Sequence, residues 1–207
     1  MGIYREQVLP RIVDVACNMK ENHPQRQRVC EGLAGEVVEI GFGSGLNVPH
    51  YPAAVTSVTG VEPADLGWKL ARKRLQQTNV PVRRAGLDAG TLPFPDDSFD
   101  AALSTWTMCT IPDIAGALRE LRRVLKPGGT LHFVEHGLAP PEDEGVRRWQ
   151  HRLDPLQQRL FGGCHLDRPI VELVKGAGFE ITELDVFYMK GALKPVGANS
   201  LGVARSG

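Results

Sequence analysis

At 207 residues, 42% hydrophobic and 23% charged, the chain suits one globular domain with a sizeable core, and disorder is excluded as its default state. Lys plus Arg and Asp plus Glu are equal at 24 each, so net charge recruits neither nucleic acid nor an anionic membrane, and a small, weakly charged partner fits better. Cys17, Cys30, Cys109 and Cys164 form no C-x-x-C pair, Met1 to Pro10 shows no signal-peptide pattern, and no stretch approaches the roughly 18 apolar residues of a membrane span; a cytoplasmic protein without metal, disulfide framework or stable membrane anchor is expected.

Along the chain, strand-like and helix-like segments alternate, the pattern of an α/β domain with a largely parallel sheet. Tyr4 to Met19 sets Val8, Leu9, Ile12, Val13 and Ala16 at helical spacing and predicts an amphipathic helix over the sheet, ahead of the polar stretch Lys20 to Arg28. Glu36 to Ile40 predicts a first strand that turns into its helix at Gly41-Phe42-Gly43-Ser44-Gly45, and Val55 to Val61 a second strand ending at Glu62-Pro63. Ala64 to Gln76 reads as helix, Val80 to Ala85 as the third strand and Phe99 to Ser104 as the fourth. Asp113 is placed to cap a helix with Ile114, Ala117, Leu118, Leu121, Val124 and Leu125 on one face, stopped by Lys126-Pro127-Gly128-Gly129; Thr130 to His136 follows as the fifth strand. Pro141 to Phe161 predicts a helix kinked at Pro155, with Val146, Trp149, Leu153, Leu156 and Leu160 along one side. A helix over Arg168 to Gly176 and strands over Phe179 to Phe187 and Asn199 to Arg205 complete the chain.

A glycine-rich turn between strand and helix lets backbone approach a ligand closely, and an acid at the end of the next strand can accept hydrogen bonds from two ribose hydroxyls. Gly41, Gly43, Gly45 and Glu62 meet both demands, which NAD and S-adenosylmethionine share. Here the glycines run G-x-G-x-G, whereas the dinucleotide fingerprint is G-x-G-x-x-G with a helix N-terminus aimed at a pyrophosphate. A cationic sulfonium brings no phosphate, and acids on either side of the turn, Glu39 and Glu62, suit it.

Four blocks in order carry a family resemblance: Glu39 to Gly45, Val61-Glu62-Pro63, Leu92 to Asp100, and Arg119 to Gly129. Together they resemble class I S-adenosylmethionine-dependent methyltransferases of the ubiquinone-biosynthesis-like type. The resemblance implies a Rossmann-like α/β three-layer sandwich around a seven-stranded, mostly parallel sheet with an antiparallel last strand. It implies a single domain over 1–207, with a helical lid or cap in 1–30, the cofactor-binding core in 35–136 and substrate-side helices and final strands in 137–207. It also implies cofactor contacts at Glu39, Gly41, Gly43, Gly45, Asn47, Glu62, Pro63, Asp88, Ala89 and Thr105, with Gly41, Gly43 and Gly45 at the methionine part, Glu62 on the ribose and Asp88 with Ala89 at the adenine amino group. A narrower likeness, carried by Asn18 to Arg28, Val134-Glu135-His136, Gly163-Cys164 with Arg168, and Leu193 to Gly197, is to the alkyl thiol S-methyltransferases.

Methyl transfer is an in-line displacement at an activated sulfonium and asks mainly for alignment and exclusion of water. A thiol of pKa about 8.5 already supplies thiolate at neutral pH, whereas a phenol or alcohol asks for a base. His136, ending the fifth strand on the edge where open α/β sheets bind ligands, is the first candidate for a base or substrate contact. Trp106, Met108, Cys109, Trp149 and His165 are candidates for the acceptor pocket, Cys109 more as a small hydrophobe than as a catalytic thiol. The sequence therefore points to a small-molecule methyltransferase, monomeric or homodimeric, that prefers a thiol to a phenol or quinol and releases S-adenosylhomocysteine. Non-catalytic binding of S-adenosylmethionine and NAD-dependent oxidoreduction are the alternatives, and nucleic-acid methylation is disfavoured by the neutral charge.

Overall fold

In a computed structural model that describes residues 9–85 and 90–207, side chains along β1 (Gly35–Ile40) alternate between two cores, as the two-residue repeat of a strand requires. Val38 and Ile40 join the core formed with α4 (Ile114–Val124) and α6 (Ile170–Gly176), where Ala117, Leu118, Leu121, Val124 and Val174 are fully buried. Val37 turns the other way, into the core that holds Val29 and Cys30 of α2 (His23–Cys30). Both faces of the sheet are thus covered, giving the three layers expected.

With β2 (Val55–Val61), β3 (Val82–Ala85), β4 (Phe99–Thr105), β5 (Leu125–His136), β6 (Phe179–Tyr188) and β7 (Ala198–Ser206), the described residues form one seven-stranded sheet ordered β3-β2-β1-β4-β5-β7-β6. β7 is antiparallel to β5 and β6, and the other pairings are parallel. The strand order reverses at β1, which pairs with β2 on one side and β4 on the other. That reversal opens a crevice at the carboxyl ends of the strands.

Three local expectations are corrected. α4 is capped as expected, with Gly116 N–H donating to Asp113 Oδ1 at 2.8 Å, but it stops at Val124; Leu125 opens β5, and Lys126 to Gly129 lie within that strand. The register against β4 jumps from Phe99 opposite Leu125 to Ala101 opposite Thr130, and Gly128 absorbs the irregularity at φ 76°. The glycine turn leads into a short 3₁₀ turn over Val48–His50 with Pro49 in it, not directly into a long helix. Finally, α5 (Glu144–Leu160) runs through Pro155 with its burial reversed: Trp149 and Leu156 are 55% exposed, while Gln150 and Asp154 are buried. Gln150 Nε2 donates to the carbonyls of Gly137 at 3.0 Å and Pro195 at 3.2 Å, its Oε1 accepts from Ala139 N–H at 2.9 Å, and Asp154 accepts from Leu166 N–H at 2.7 Å. These bonds close backbone groups of the loops that the helix docks against.

The N-terminal helix, α1, spans Leu9–Cys17, and the expected residues before it lie outside those described. The polar stretch after it is helical too, with Pro24 in the first turn of α2, where the missing N–H costs no helical bond. No helix among the described residues is long and apolar enough to cross a membrane.

Candidate active site

At the end of β1 the backbone reverses through Gly41, Gly43 and Gly45, with φ of 68°, 54° and 70°, a region that residues with a Cβ rarely occupy. A Cβ on Gly41 would stand 2.0 Å from Thr107 Oγ1 in the loop after β4, so a glycine is needed for those two segments to approach. α3 (Asp65–Leu75) comes equally near: a Cβ on Gly67 would lie 2.6 Å from the Gly43 carbonyl oxygen. The Glu62 carboxylate spans this junction, accepting from Gly43 N–H at 3.1 Å and Ala64 N–H at 2.8 Å. Burial raises its pKa against those two bonds. Trp68 donates to the Glu62 carbonyl at 3.1 Å and stacks on Phe42 at 4.4 Å, which gives Phe42 a packing role in the turn.

Behind the turn lies a buried polar network. Glu39 faces α2 and accepts from Asn47 Nδ2 at 2.9 Å and from the Tyr51 hydroxyl; burial pushes its carboxyl up to about 7 against those bonds. Arg26 reaches in from α2 to donate to Asn47 Oδ1 at 2.7 Å and Thr105 Oγ1 at 3.1 Å, and its guanidinium lies 4.7 Å from the centre of the Trp106 ring. Trp106, at φ 50°, is fixed by its backbone N–H to Val134 O at 2.9 Å and its indole N–H to Asn199 Oδ1 at 2.8 Å. Contacts from three elements hold a conformation that tryptophan otherwise avoids.

On the far side of the crevice, Glu135 is fully buried and accepts from the Ser104 hydroxyl at 2.7 Å and Thr107 N–H at 2.9 Å; burial pushes it up to about 7. Cys109 Sγ lies 3.6 Å from Cys164 Sγ, which is 3.9 Å from His136 Nδ1. The contact between the thiols, with His136 beside it, holds the Cys164 thiol down; the same contact together with burial pushes the Cys109 thiol up. Arg168 supports this loop by donating to Met108 O at 2.5 Å and Ile111 O at 2.7 Å.

These walls border an open-sided cavity of about 830 Å³. It brings together Gly41, Gly43, Asn47, Glu62, Thr105, Trp106, Cys109 and His136 from the sequence candidates, and adds Asp14, Arg26 and Cys164. Glu39 stands behind Asn47, Gly45 packs against Phe42, Val48 and Ala71, and Pro63 is exposed beside the cavity wall. Met108 belongs to the core, Trp149 is on the outer surface near Arg152, and His165 is held by Gln158 and Asp154, so these three fall outside the wall. Asp88 and Ala89 lie outside the described residues. Arg26 lies in the stretch Asn18 to Arg28 that carries the narrower likeness, but nothing there marks it as a site residue, and no motif surrounds Tyr51.

A glycine turn with no room for a Cβ at Gly41, a carboxylate at its lip and an open-sided cavity within the size range of small-molecule sites fit an adenosyl sulfonium ligand. Residues 38–133 match the Methyltransferase domain family. Thiol S-methyltransferase TMT1B of Rattus norvegicus is 30% identical over 179 residues, spanning 84% of this chain and 72% of its own length. Phosphatidylethanolamine N-methyltransferase of Cereibacter sphaeroides is 30% identical over 181 residues, 83% of this chain and 84% of its own. A SAM-dependent methyltransferase from Thermotoga maritima shares the fold, with a TM-score of 0.69 at 22% identity over 99% of this chain and 98% of its own. The likeness runs across most of the chain, well beyond the glycine turn, and the protein belongs to the class I S-adenosylmethionine-dependent methyltransferases, as an enzyme that methylates a small molecule.

Proposed function

We propose that the methyl acceptor is a thiol carried on a small apolar molecule. The observation that carries this reading is the make-up of the cavity beyond the glycine turn: the thiols of Cys109 and Cys164 and the imidazole of His136 stand there with apolar wall from Ile12, Met19, Phe161 and Val196, in a lining that also holds Thr110, Gln157, Lys190 and Asn199. A soft, polarisable nucleophile loses little on entering such a pocket, whereas an ammonium would lose its hydration, and Lys190 in the lining is of like charge. The similarity to a protein named as a thiol S-methyltransferase supports the same class.

When bound, S-adenosylmethionine supplies a methyl group on a cationic sulfur, which the acceptor sulfur takes as the old carbon–sulfur bond breaks, leaving S-adenosylhomocysteine. In this reading Gly41, Gly43 and Asn47 border the methionine part, and Asp88 with Ala89 meets the adenine. Glu62 takes the ribose hydroxyls, since each carboxylate oxygen has a second lone pair beside the N–H it already accepts. α1 covers the methionine end, and His136 engages the acceptor's S–H.

The test is S-adenosylhomocysteine production by the purified protein with a panel of alkyl thiols, phenols, quinols and amines. Turnover is expected on apolar thiols. Turnover on phenols or amines with none on thiols would keep the enzyme and overturn the acceptor.

A further inference from the structure

Cys109 follows β4, His136 ends β5 and Cys164 follows α5, yet the sheet edge gathers one donor atom from each within 4.8 Å of the others. The sulfurs are 3.6 Å apart, and Cys164 Sγ is 3.9 Å from His136 Nδ1. With zinc–sulfur bonds of about 2.3 Å and zinc–nitrogen bonds of about 2.05 Å at tetrahedral angles, two sulfurs stand about 3.8 Å apart and a sulfur and a nitrogen about 3.6 Å. The observed spacings are close to both edges. His136 is 8% exposed, its Nδ1 faces Cys164 Sγ, and its Nε2 is buried with no hydrogen-bond partner among the described residues, so the ring's one polar contact is on the side of the two sulfurs. All three residues line the cavity shared with Gly41 and Glu62.

We propose that Cys109, Cys164 and His136 form a binding site for a thiophilic divalent metal, zinc first, with a fourth coordination position open to the methyl-transfer cavity. Two thiolates and one imidazole around a dication sum to no net charge, so the sulfurs ionise in a buried place without leaving an uncompensated charge. Both thiol protons go to solvent on binding. Three protein ligands with one open position is the arrangement of a catalytic zinc, not a structural one. A role for the metal in turnover rests on the thiol reading above: the acceptor sulfur takes the open position as thiolate, its proton goes to solvent, and His136 acts as a ligand instead of engaging the S–H.

The test uses the full chain, reduced, equilibrated with zinc or cobalt(II) and dialysed against metal-free buffer, with metal per chain and the cobalt absorption spectrum as readouts. One metal per chain and a sulfur-to-cobalt charge-transfer band are expected. Cys109→Ser and Cys164→Ser should each weaken binding at least about 100-fold, since loss of even an outer-shell partner costs roughly 10- to 100-fold. His165→Gln, which breaks the separate group Asp154, His165 and Asp167, should bind as the wild type does. S-adenosylmethionine affinity of the same variants reports that they fold. Absence of bound metal in the reduced wild type, a cobalt spectrum without a sulfur band, or metal lost only in His165→Gln overturns the site. Metal content is read without an acceptor, so its failure is distinguishable from failure of the thiol reading.

Discussion

Each oxygen of Glu62 accepts one backbone N–H, so the same carboxylate shapes the glycine turn and faces the cavity. Glu62→Ala is expected to cost about 1.5–3 kcal/mol of S-adenosylmethionine affinity, roughly 10- to 150-fold in Kd by isothermal titration, with Glu62→Gln losing less. Glu39, the acid on the other side of the turn, has a different consequence. Its carboxyl, raised by burial from 4.5 to about 7, holds its proton more tightly in the folded chain than in the unfolded one. The stability it contributes is complete below about pH 4.5 and is lost as pH rises through about 7. Relative to Glu39→Gln, the wild type should lose up to about 3 kcal/mol between pH 4.5 and 8 in urea unfolding, and a difference that stays flat with pH would contradict the assignment. Both acids were legible in the sequence because they flank a glycine turn, but not their unequal exposure: Glu39 points toward α2, and its neighbours Tyr51 and Arg26 come from segments that no local pattern ties to it.

For the strands, pattern was a sound guide, because Val37 and Val38 must face opposite layers. α5 shows where that logic fails. Its leucines and Trp149 fall at helical spacing, yet the side that docks carries Gln150 and Asp154, because the loops around Gly137, Ala139, Leu166 and Pro195 need partners for their backbone groups. Hydrophobic periodicity registers apolar burial and is blind to hydrogen bonds owed to a distant loop. Gln150→Leu is therefore expected to destabilise the protein by about 2–4 kcal/mol, since it leaves one N–H and two carbonyls unpaired, whereas Trp149→Ser should stay within about 0.5 kcal/mol. Denaturant midpoints of the two variants check this directly, and equal effects would show that the apolar side matters in the folded monomer after all.

Across the molecule, the cofactor crevice is assembled from ends: the carboxyl ends of β1, β2, β4 and β5 form its floor, and α1 returns over the top. Ile12, Asp14, Ala16 and Cys17 contribute to the wall, while Val15 is 70% exposed. Polar contacts fasten it: the Ser44 hydroxyl donates to Asp14, Arg74, which donates to the Ser44 carbonyl at 2.9 Å, stands 3.6 Å from the same carboxylate, and the Ala16 and Cys17 carbonyls accept from Asn22 Nδ2 at 3.0 Å and from Arg26 at 3.3 Å. A helix fastened through partly exposed polar contacts can open without global unfolding, which suits a cover that must admit cofactor and release product. Asp14→Ala removes the shared acceptor of that fastening but no part of the sheet or its two cores. It should speed S-adenosylhomocysteine release about 3- to 10-fold in stopped-flow measurements, the equivalent of about 0.7–1.4 kcal/mol, and leave the urea midpoint nearly unchanged. An unchanged release rate would mean that α1 does not limit access; a large fall in midpoint with faster release would mean that it is part of the folded core, not a cover.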